Sequence, residues 1–134
     1  MHPPKTLSNM SGSESIQLAR YVLPEELFEY FDLEKIEEID KELHFYLYEH
    51  NLPPASYPQG SLSSKGFHAE VVIKDFPVRD KPLFLHIHRR RWLDKSNGSS
   101  VSRDWHVVAQ GTHYTQGFAS FLKELVGYLP DRFP

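Results

Sequence analysis

The sequence has 134 residues, 40% hydrophobic and 25% charged with no cysteine, which is typical of a globular protein and excludes disulfides, thiol chemistry and cysteine-ligated zinc. No apolar run approaches the roughly 18 residues of a membrane span, and the N-terminal residues lack the apolar region of a signal peptide, so we expect a cytoplasmic protein with no membrane partner. The formal net charge of −3 hides an asymmetry, because residues 1–60 carry 4 Lys/Arg and 11 Asp/Glu (−7) whereas residues 61–134 carry 11 and 7 (+4).

The beginning of the chain predicts a tail followed by short helices. Residues 1–14 are polar and rich in Ser, Pro and Gly, so we expect a disordered tail before a single domain over residues 15–134. A first helix fits residues 15–23, and Pro24 interrupts it or begins a second helical turn. Apolar residues three apart predict further helix over residues 33–41.

Four later segments have the aromatic and β-branched content of strands: residues 43–50, 67–76, 82–92 and 100–111. Several prolines make residues 51–65 a loop, and Asn97-Gly98 predicts a tight hairpin turn between the last two strands. A final helix over residues 116–129 begins after Thr115, which we predict to be its N-cap.

This order of elements predicts an α+β fold. We expect an antiparallel sheet of about four strands, including a three-strand meander with a projecting β-ribbon, together with N-terminal helices and a C-terminal helix. Within the domain, residues 15–60 would form an acidic helix–strand part and residues 61–134 a basic meander with a helix. The charge asymmetry indicates an acidic and a basic functional half, although a solvated pair of acidic helices would give the same charge.

Three consecutive arginines, Arg89, Arg90 and Arg91, end the third predicted strand. Before them two faces alternate, and one carries Leu83, Leu85 and Ile87 while the other carries Phe84, His86 and His88. A charged residue rarely continues into a core unpaired, so we expect the strand to leave the domain near residue 89 as a twisted ribbon. Such a ribbon can enter a DNA groove or straddle phosphates, with Lys95 and Arg103 at or near its tip.

The same hairpin has a purely structural interpretation. Residues 89–91 would then be a solvated strand end whose arginines pair with Asp94 and Asp104. Trp92 and Trp105 flank the turn, and we expect them to stack across the strands and fix their register.

Histidines on the third and fourth strands raise the hypothesis of a metal site. His86 and His88 share a face, and the predicted hairpin would bring His106 opposite or diagonal to His88, so three imidazoles could hold zinc. No acid with an obvious role completes a catalytic site, and the sequence contains neither a Gly-x-Ser-x-Gly motif nor a phosphate-binding P-loop. We therefore expect no enzymatic activity, no bound metal and no cofactor.

Two long segments carry a resemblance to a known family. The segments 66-GFHAEVVIKDFPVRDKPLFLHIHRRRW-92 and 103-RDWHVVAQGTHYTQGFASFLKEL-125 resemble the N-terminal region protein of ISAon-type bacterial insertion-sequence transposases, as does 21-YVLPEELFEYFDL-33. The resemblance covers nearly the whole chain from about residue 16. A more distant similarity links it to the zinc-ribbon N-terminal region of other insertion-sequence transposases, but the cysteines of those ribbons are missing here.

The resemblance implies a small protein encoded beside a catalytic transposase, whose catalytic acids lie in a separate domain. The expected partners are the DNA of the insertion-sequence ends and the catalytic transposase subunit, and a homodimer stays open. Because affinity would come mainly from phosphate contacts, DNA binding should weaken steeply as the salt concentration rises. The predicted DNA-binding residues are Arg89, Arg90, Arg91, Lys95, Arg103, Thr112 and Thr115.

The alternative is a protein-interaction module that docks the catalytic subunit without binding DNA. In that case the sheet or the last helix would dock the subunit, and the arginines would pair with its acids. The last helix would then expose a second apolar surface in the isolated chain. The residues of this expected surface are Leu125, Tyr128, Leu129 and Phe133.

Overall fold

A computed structural model describes the backbone of residues 12–130 and the side chains of residues 16–130. Residues 1–11 of the predicted disordered tail lie outside this range, as does Phe133 of the expected apolar surface. Within the described residues, no helix is long and apolar enough to span a membrane.

The described residues form an α+β fold, which confirms the predicted class. In chain order the elements are α1 (Gly12–Ala19), α2 (Leu27–Tyr30), β1 (Phe31–Ile39), β2 (Glu42–Glu49), β3 (Leu62–Phe67), β4 (Val71–Val78), β5 (Lys81–His88), β6 (Arg90–Asp94), β7 (Ser100–Val101), α3 (Trp105–Val108) and α4 (Gln116–Gly127).

The strands form two sheets. The larger one has the order β1-β2-β5-β4, and its outer pairs β1–β2 and β4–β5 are antiparallel hairpins. Its central pair β2–β5 is parallel, so the sheet is mixed and differs here from the expected antiparallel arrangement. The parallel pairing requires a long connection, which the chain provides by passing through a loop and β3 before it returns in β4. The smaller sheet has the order β3-β6-β7.

The helix predicted over residues 33–41 is wrong, because residues 33–39 belong to strand β1 and residues 40–41 form the turn before β2. The pairing of β1 with β2 shifts register between Leu33 and Lys35. Such a bulge inserts one extra residue, so Leu33 and Ile36 both pack against the core although they are three residues apart. The bulge therefore reproduces the spacing that predicted a helix.

The core lies between the larger sheet and the helices. As predicted, Leu83, Leu85 and Ile87 of β5 are at most 1% exposed. Helix α4 covers this face, and it buries Phe118, Phe121, Leu122 and Leu125. The predicted cap of α4 is confirmed, since the Thr115 hydroxyl oxygen accepts a hydrogen bond from the Phe118 amide (3.3 Å).

The strand predicted over residues 100–111 is mostly wrong. Only Ser100–Val101 pair with β6, and helix α3 follows, with the Asp104 side chain accepting a hydrogen bond from the Val107 amide. The helix carries Trp105 into the main core, where its ring stacks on Phe31 at 5.4 Å.

The two tryptophans therefore occupy different clusters. Trp92 packs with Leu62 and Val101 in a second, smaller core, whereas Trp105 belongs to the main one. The expected stacking of one tryptophan on the other across the hairpin is wrong, because residue 105 lies in a helix rather than in the strand opposite.

Candidate nucleic-acid interface

The strand that carries the arginines passes from one sheet to the other. β5 ends at His88 in the larger sheet and β6 begins at Arg90 in the smaller one, so Arg89 lies at the junction. The chain leaves the larger sheet at the predicted residue. The segment does not project alone, however, because β6 lies between β3 and β7 and its Trp92 is fully buried.

Arg90 is engaged within the chain. Its backbone amide donates to the Glu49 carboxylate (3.0 Å), and its Nε donates to the Glu49 carbonyl oxygen (3.1 Å). One Nη donates to the Ser64 hydroxyl (2.6 Å), and the guanidinium lies over the Phe67 ring at 4.6 Å. Arg90 thus connects β2, β3 and β6.

Glu49 is a buried carboxylate beside this strand, with 1% of its surface exposed. Its second oxygen accepts a hydrogen bond from Arg103 Nε at 2.9 Å, and an Arg103 Nη donates to the Leu52 carbonyl. Burial raises the pKa of Glu49, and the hydrogen bonds from Arg103 and from the Arg90 amide oppose this effect. Arg103 is therefore engaged in a buried ion pair.

Sequence reasoning missed Glu49, although a signal was present. In β2 the buried residues alternate as Leu43, Phe45 and Leu47, and Glu49 continues the same face. A carboxylate at a core position needs a charged or hydrogen-bonded partner, so its position predicts arginines nearby.

Arg89 and Arg91 lie on the opposite face of the strand from Arg90, as the alternation of side chains requires. Both are half-buried, and the Nε atoms of both are shielded from solvent without a hydrogen-bond partner among the described residues. Burial lowers the pKa of Arg89, while Glu49 acts in the opposite direction. Neither guanidinium forms an ion pair with a carboxylate in the part of the chain that the structure describes.

His68 lies beside these two arginines. Its amide donates to the Arg89 carbonyl (2.8 Å), and its ring Nε2 is 2.5 Å from the Ser102 hydroxyl oxygen. Burial, followed by the positive charges of Arg89 and Arg91, lowers the pKa of His68. These four side chains, Arg89, Arg91, His68 and Ser102, are called the arginine–histidine cluster below.

The aspartates that the structural interpretation assigned to the arginines have other roles. The Asp94 carboxylate accepts hydrogen bonds from the amide and hydroxyl of Ser96 (3.0 and 2.6 Å) and so holds the hairpin turn. The Asp104 carboxylate caps α3. The carboxylate that engages this strand is Glu49, which accepts hydrogen bonds from Arg103 Nε and the Arg90 amide.

The remaining predicted contact residues lie elsewhere. Lys95 is exposed in the turn between β6 and β7, and Thr112 is exposed in the loop before α4. The amide and hydroxyl of Thr115 both donate to the Glu26 carboxylate (2.7 and 2.9 Å), so a negative charge already occupies this helix terminus.

The three histidines of the metal hypothesis do not form one site. His86 and His88 each contact the Glu70 carboxylate (2.8 and 2.9 Å), and His86 also contacts His44 at 2.8 Å. His106 lies in α3 and not opposite His88. Among residues 16–130, no group of three or more His, Asp or Glu side chains is arranged to hold a metal ion.

Comparison with known proteins adds no relative. No known family model matches the sequence, and neither a curated protein nor a solved structure is significantly similar to it. The kinship with insertion-sequence transposases therefore stays a prediction, and function has to be inferred from the chain's own residues.

Proposed function

We propose that the chain is a non-catalytic accessory protein of an insertion-sequence transposase and that it binds the DNA of the transposon ends through the arginine–histidine cluster. The observation that carries the proposal is the pair of half-buried guanidinium groups, Arg89 and Arg91, without an ion pair among the described residues. Glu49 acts electrostatically on Arg89 without a direct ion pair, and an anion from outside the chain would pair directly with both guanidinium groups.

A DNA phosphate has the chemistry that this cluster would recognise. The planar guanidinium matches two oxygens of a phosphate group, and such charge-assisted hydrogen bonds are among the strongest in proteins. Ser102 and His68 would add hydrogen-bond donors to the same anion. Because phosphate contacts position a protein without reading sequence, any preference for the element ends would come from further contacts at base edges.

Arg90 and Arg103 have a different role in this proposal. Both are held by Glu49, so they would fix the geometry of the strand on which Arg89 and Arg91 stand. Lys95 would contribute a peripheral contact from the exposed turn. The phosphate contact expected at Thr115 has less support, because Glu26 would repel a phosphate there.

The alternative function, docking of the catalytic subunit through the last helix, has less support. Leu125, one of the residues of the expected second apolar surface, is fully buried in the core. Tyr128 is 57% exposed and Leu129 packs partly against the core. One exposed aromatic ring is common on protein surfaces and does not indicate a docking site.

The test is fluorescence anisotropy with labelled duplex DNA across a salt series, comparing element-end and scrambled sequences. The double variant Arg89→Gln/Arg91→Gln should bind more weakly, and its salt slope should fall by about 0.9 for each phosphate that the variant no longer neutralises. Lys74→Gln/Lys123→Gln is the matched control, because it also removes two positive charges, from exposed positions of β4 and α4. Unchanged affinity of the double variant, or no binding by the wild-type chain at low salt, would refute the proposal.

A further inference from the structure

The position of His68 directly after β3 gives the arginine–histidine cluster a titratable member. Its backbone pairs with the Arg89 carbonyl across the sheet junction, so its side chain is fixed next to the two arginines. The charged groups that act on the ring are Arg89 and Arg91, and the hydroxyl of Ser102 faces it from the segment after β7. No carboxylate acts on His68 among the described residues.

In the free protein this environment favours the neutral imidazole. The ring is half-buried, and two positive charges oppose the addition of a third. A neutral His68 can donate only one ring hydrogen, whereas a protonated one donates two. The cluster is therefore not in the protonation state that would bind an anion best.

We infer that the cluster binds a phosphate group with His68 protonated, so that association with a polyphosphate backbone takes up one proton at this residue. The inference rests on the proposed function and couples DNA binding to protonation of His68. The phosphate charge would offset the repulsion from Arg89 and Arg91 and would stabilise the imidazolium through a direct hydrogen bond.

The sign of the pH dependence follows from linkage. If phosphate raises the pKa of His68 in the complex, the complex holds more protons than the free protein, and affinity rises as the pH falls through the pKa of the complex. A pKa difference of about one between free and bound protein corresponds to about a tenfold change in affinity. This pH effect adds to the salt dependence and is separable from it at constant ionic strength.

The experiment is calorimetric titration of duplex DNA into the full chain at constant ionic strength, in two buffers of different ionisation enthalpy. The wild-type protein should take up protons on binding near pH 7, where the free imidazole is mostly neutral, and a pKa difference of about one corresponds to an uptake of up to about half a proton per bound site. His68→Gln should bind without this uptake and should lose most of the pH dependence. His113→Gln is the matched control, because His113 is exposed in the loop before α4.

Two further outcomes separate the inference from the proposed function. DNA binding that depends on Arg89 and Arg91 without proton uptake would overturn the inference and leave the proposed function intact. Absence of DNA binding by the wild-type chain at low salt would overturn both. Proton uptake that persists in His68→Gln would assign the proton to another group and would also overturn the inference.

Discussion

Replacement of Glu49 tests the central physical claim about this region, namely that a buried carboxylate holds the strand junction together. Glu49→Ala removes the acceptor of the Arg103 Nε hydrogen bond (2.9 Å) and of the Arg90 amide hydrogen bond (3.0 Å). It also leaves the half-buried Arg103 guanidinium without its carboxylate. Removing one partner of a buried ion pair lowers the free energy of unfolding by about 3–5 kcal/mol, and we expect a decrease of this size for Glu49→Ala.

Glu49→Gln is the conservative comparison. The amide oxygen still accepts one hydrogen bond, but the amide nitrogen cannot accept the second, so a loss of about 1–2 kcal/mol is expected near neutral pH. Glu124→Ala provides the control, because this carboxylate is exposed on α4 and its removal should change stability by less than about 0.5 kcal/mol. Equilibrium unfolding in urea measures all three variants, and an unchanged m-value would show that the unfolded states are comparable.

The pH dependence of the same comparison has a definite sign. Burial raises the pKa of Glu49 in the folded protein, so the folded state binds a proton at this carboxyl more tightly than the unfolded chain. The resulting stability is fully present below the unfolded pKa and is lost as the pH rises through the folded pKa. The difference in stability should therefore move in favour of Glu49→Gln as the pH rises.

Two results would refute this reasoning about Glu49. If Glu49→Ala lowers the free energy of unfolding by less than about 1 kcal/mol, the Glu49–Arg103 pair contributes no more than an exposed ion pair does. The carboxylate would then not hold the junction together. A difference between Glu49→Gln and the wild type that moves in favour of the wild type as the pH rises would mean that Arg103 outweighs burial and lowers the pKa of Glu49.

The other stability predictions concern the helical layer and use the same unfolding assay. Gly111→Ala should cost about 1–3 kcal/mol, because the added Cβ would overlap the Tyr114 ring, and a neutral effect would contradict this packing. Gly127→Ala in α4 should stabilise the protein by about 0.5 kcal/mol, because a Cβ added at this position would meet no atom within 4 Å. Thr115→Ala should cost about 1–2 kcal/mol, because it removes the cap of α4 and the hydroxyl bond to Glu26, and Thr115→Ser should recover most of this loss.

Local patterns predicted the parts of the fold whose geometry is local. The alternation of Leu83, Leu85 and Ile87 identified the core face of β5, and Thr115 identified the start of α4. The Asn97-Gly98 turn also forms as expected, since the Gly98 amide donates to the Asp94 carbonyl (2.7 Å) and the glycine has φ of 74°. Each of these signals depends on residues fewer than five positions apart.

The wrong elements are those in which tertiary contacts override a local pattern. β1 contains a bulge, so residues that face the core are three positions apart, as they would be in a helix, and not two. α3 is only four residues long, so its stability comes from the burial of Trp105 rather than from helix propensity. The parallel pairing of β2 with β5 joins Leu43 to Leu83, and no short window of sequence contains that relation.

The sequence identified the arginines of the candidate site, but it did not show that the three have different roles. The sequence shows three equivalent arginines, and only the structure separates Arg90 from its neighbours. The separation follows from strand alternation once the position of Glu49 is known, since Arg90 donates to Glu49 from its backbone and side chain. Arg103 shares this carboxylate although it lies 54 residues away in sequence.

The acidic and basic halves of the sequence meet in the structure at Glu49. Strand β2 comes from the acidic half of the chain and pairs directly with β5 from the basic half, so the two halves are interleaved in space. Among the acids of residues 16–60, Glu49 is the one buried beside the arginine strand. A single carboxylate engages Arg90 and Arg103, whereas Arg89 and Arg91 lack an ion pair among the described residues. The acidic half thereby engages Arg90 and Arg103, and under the proposed function Arg89 and Arg91 would be the arginines that meet an external anion.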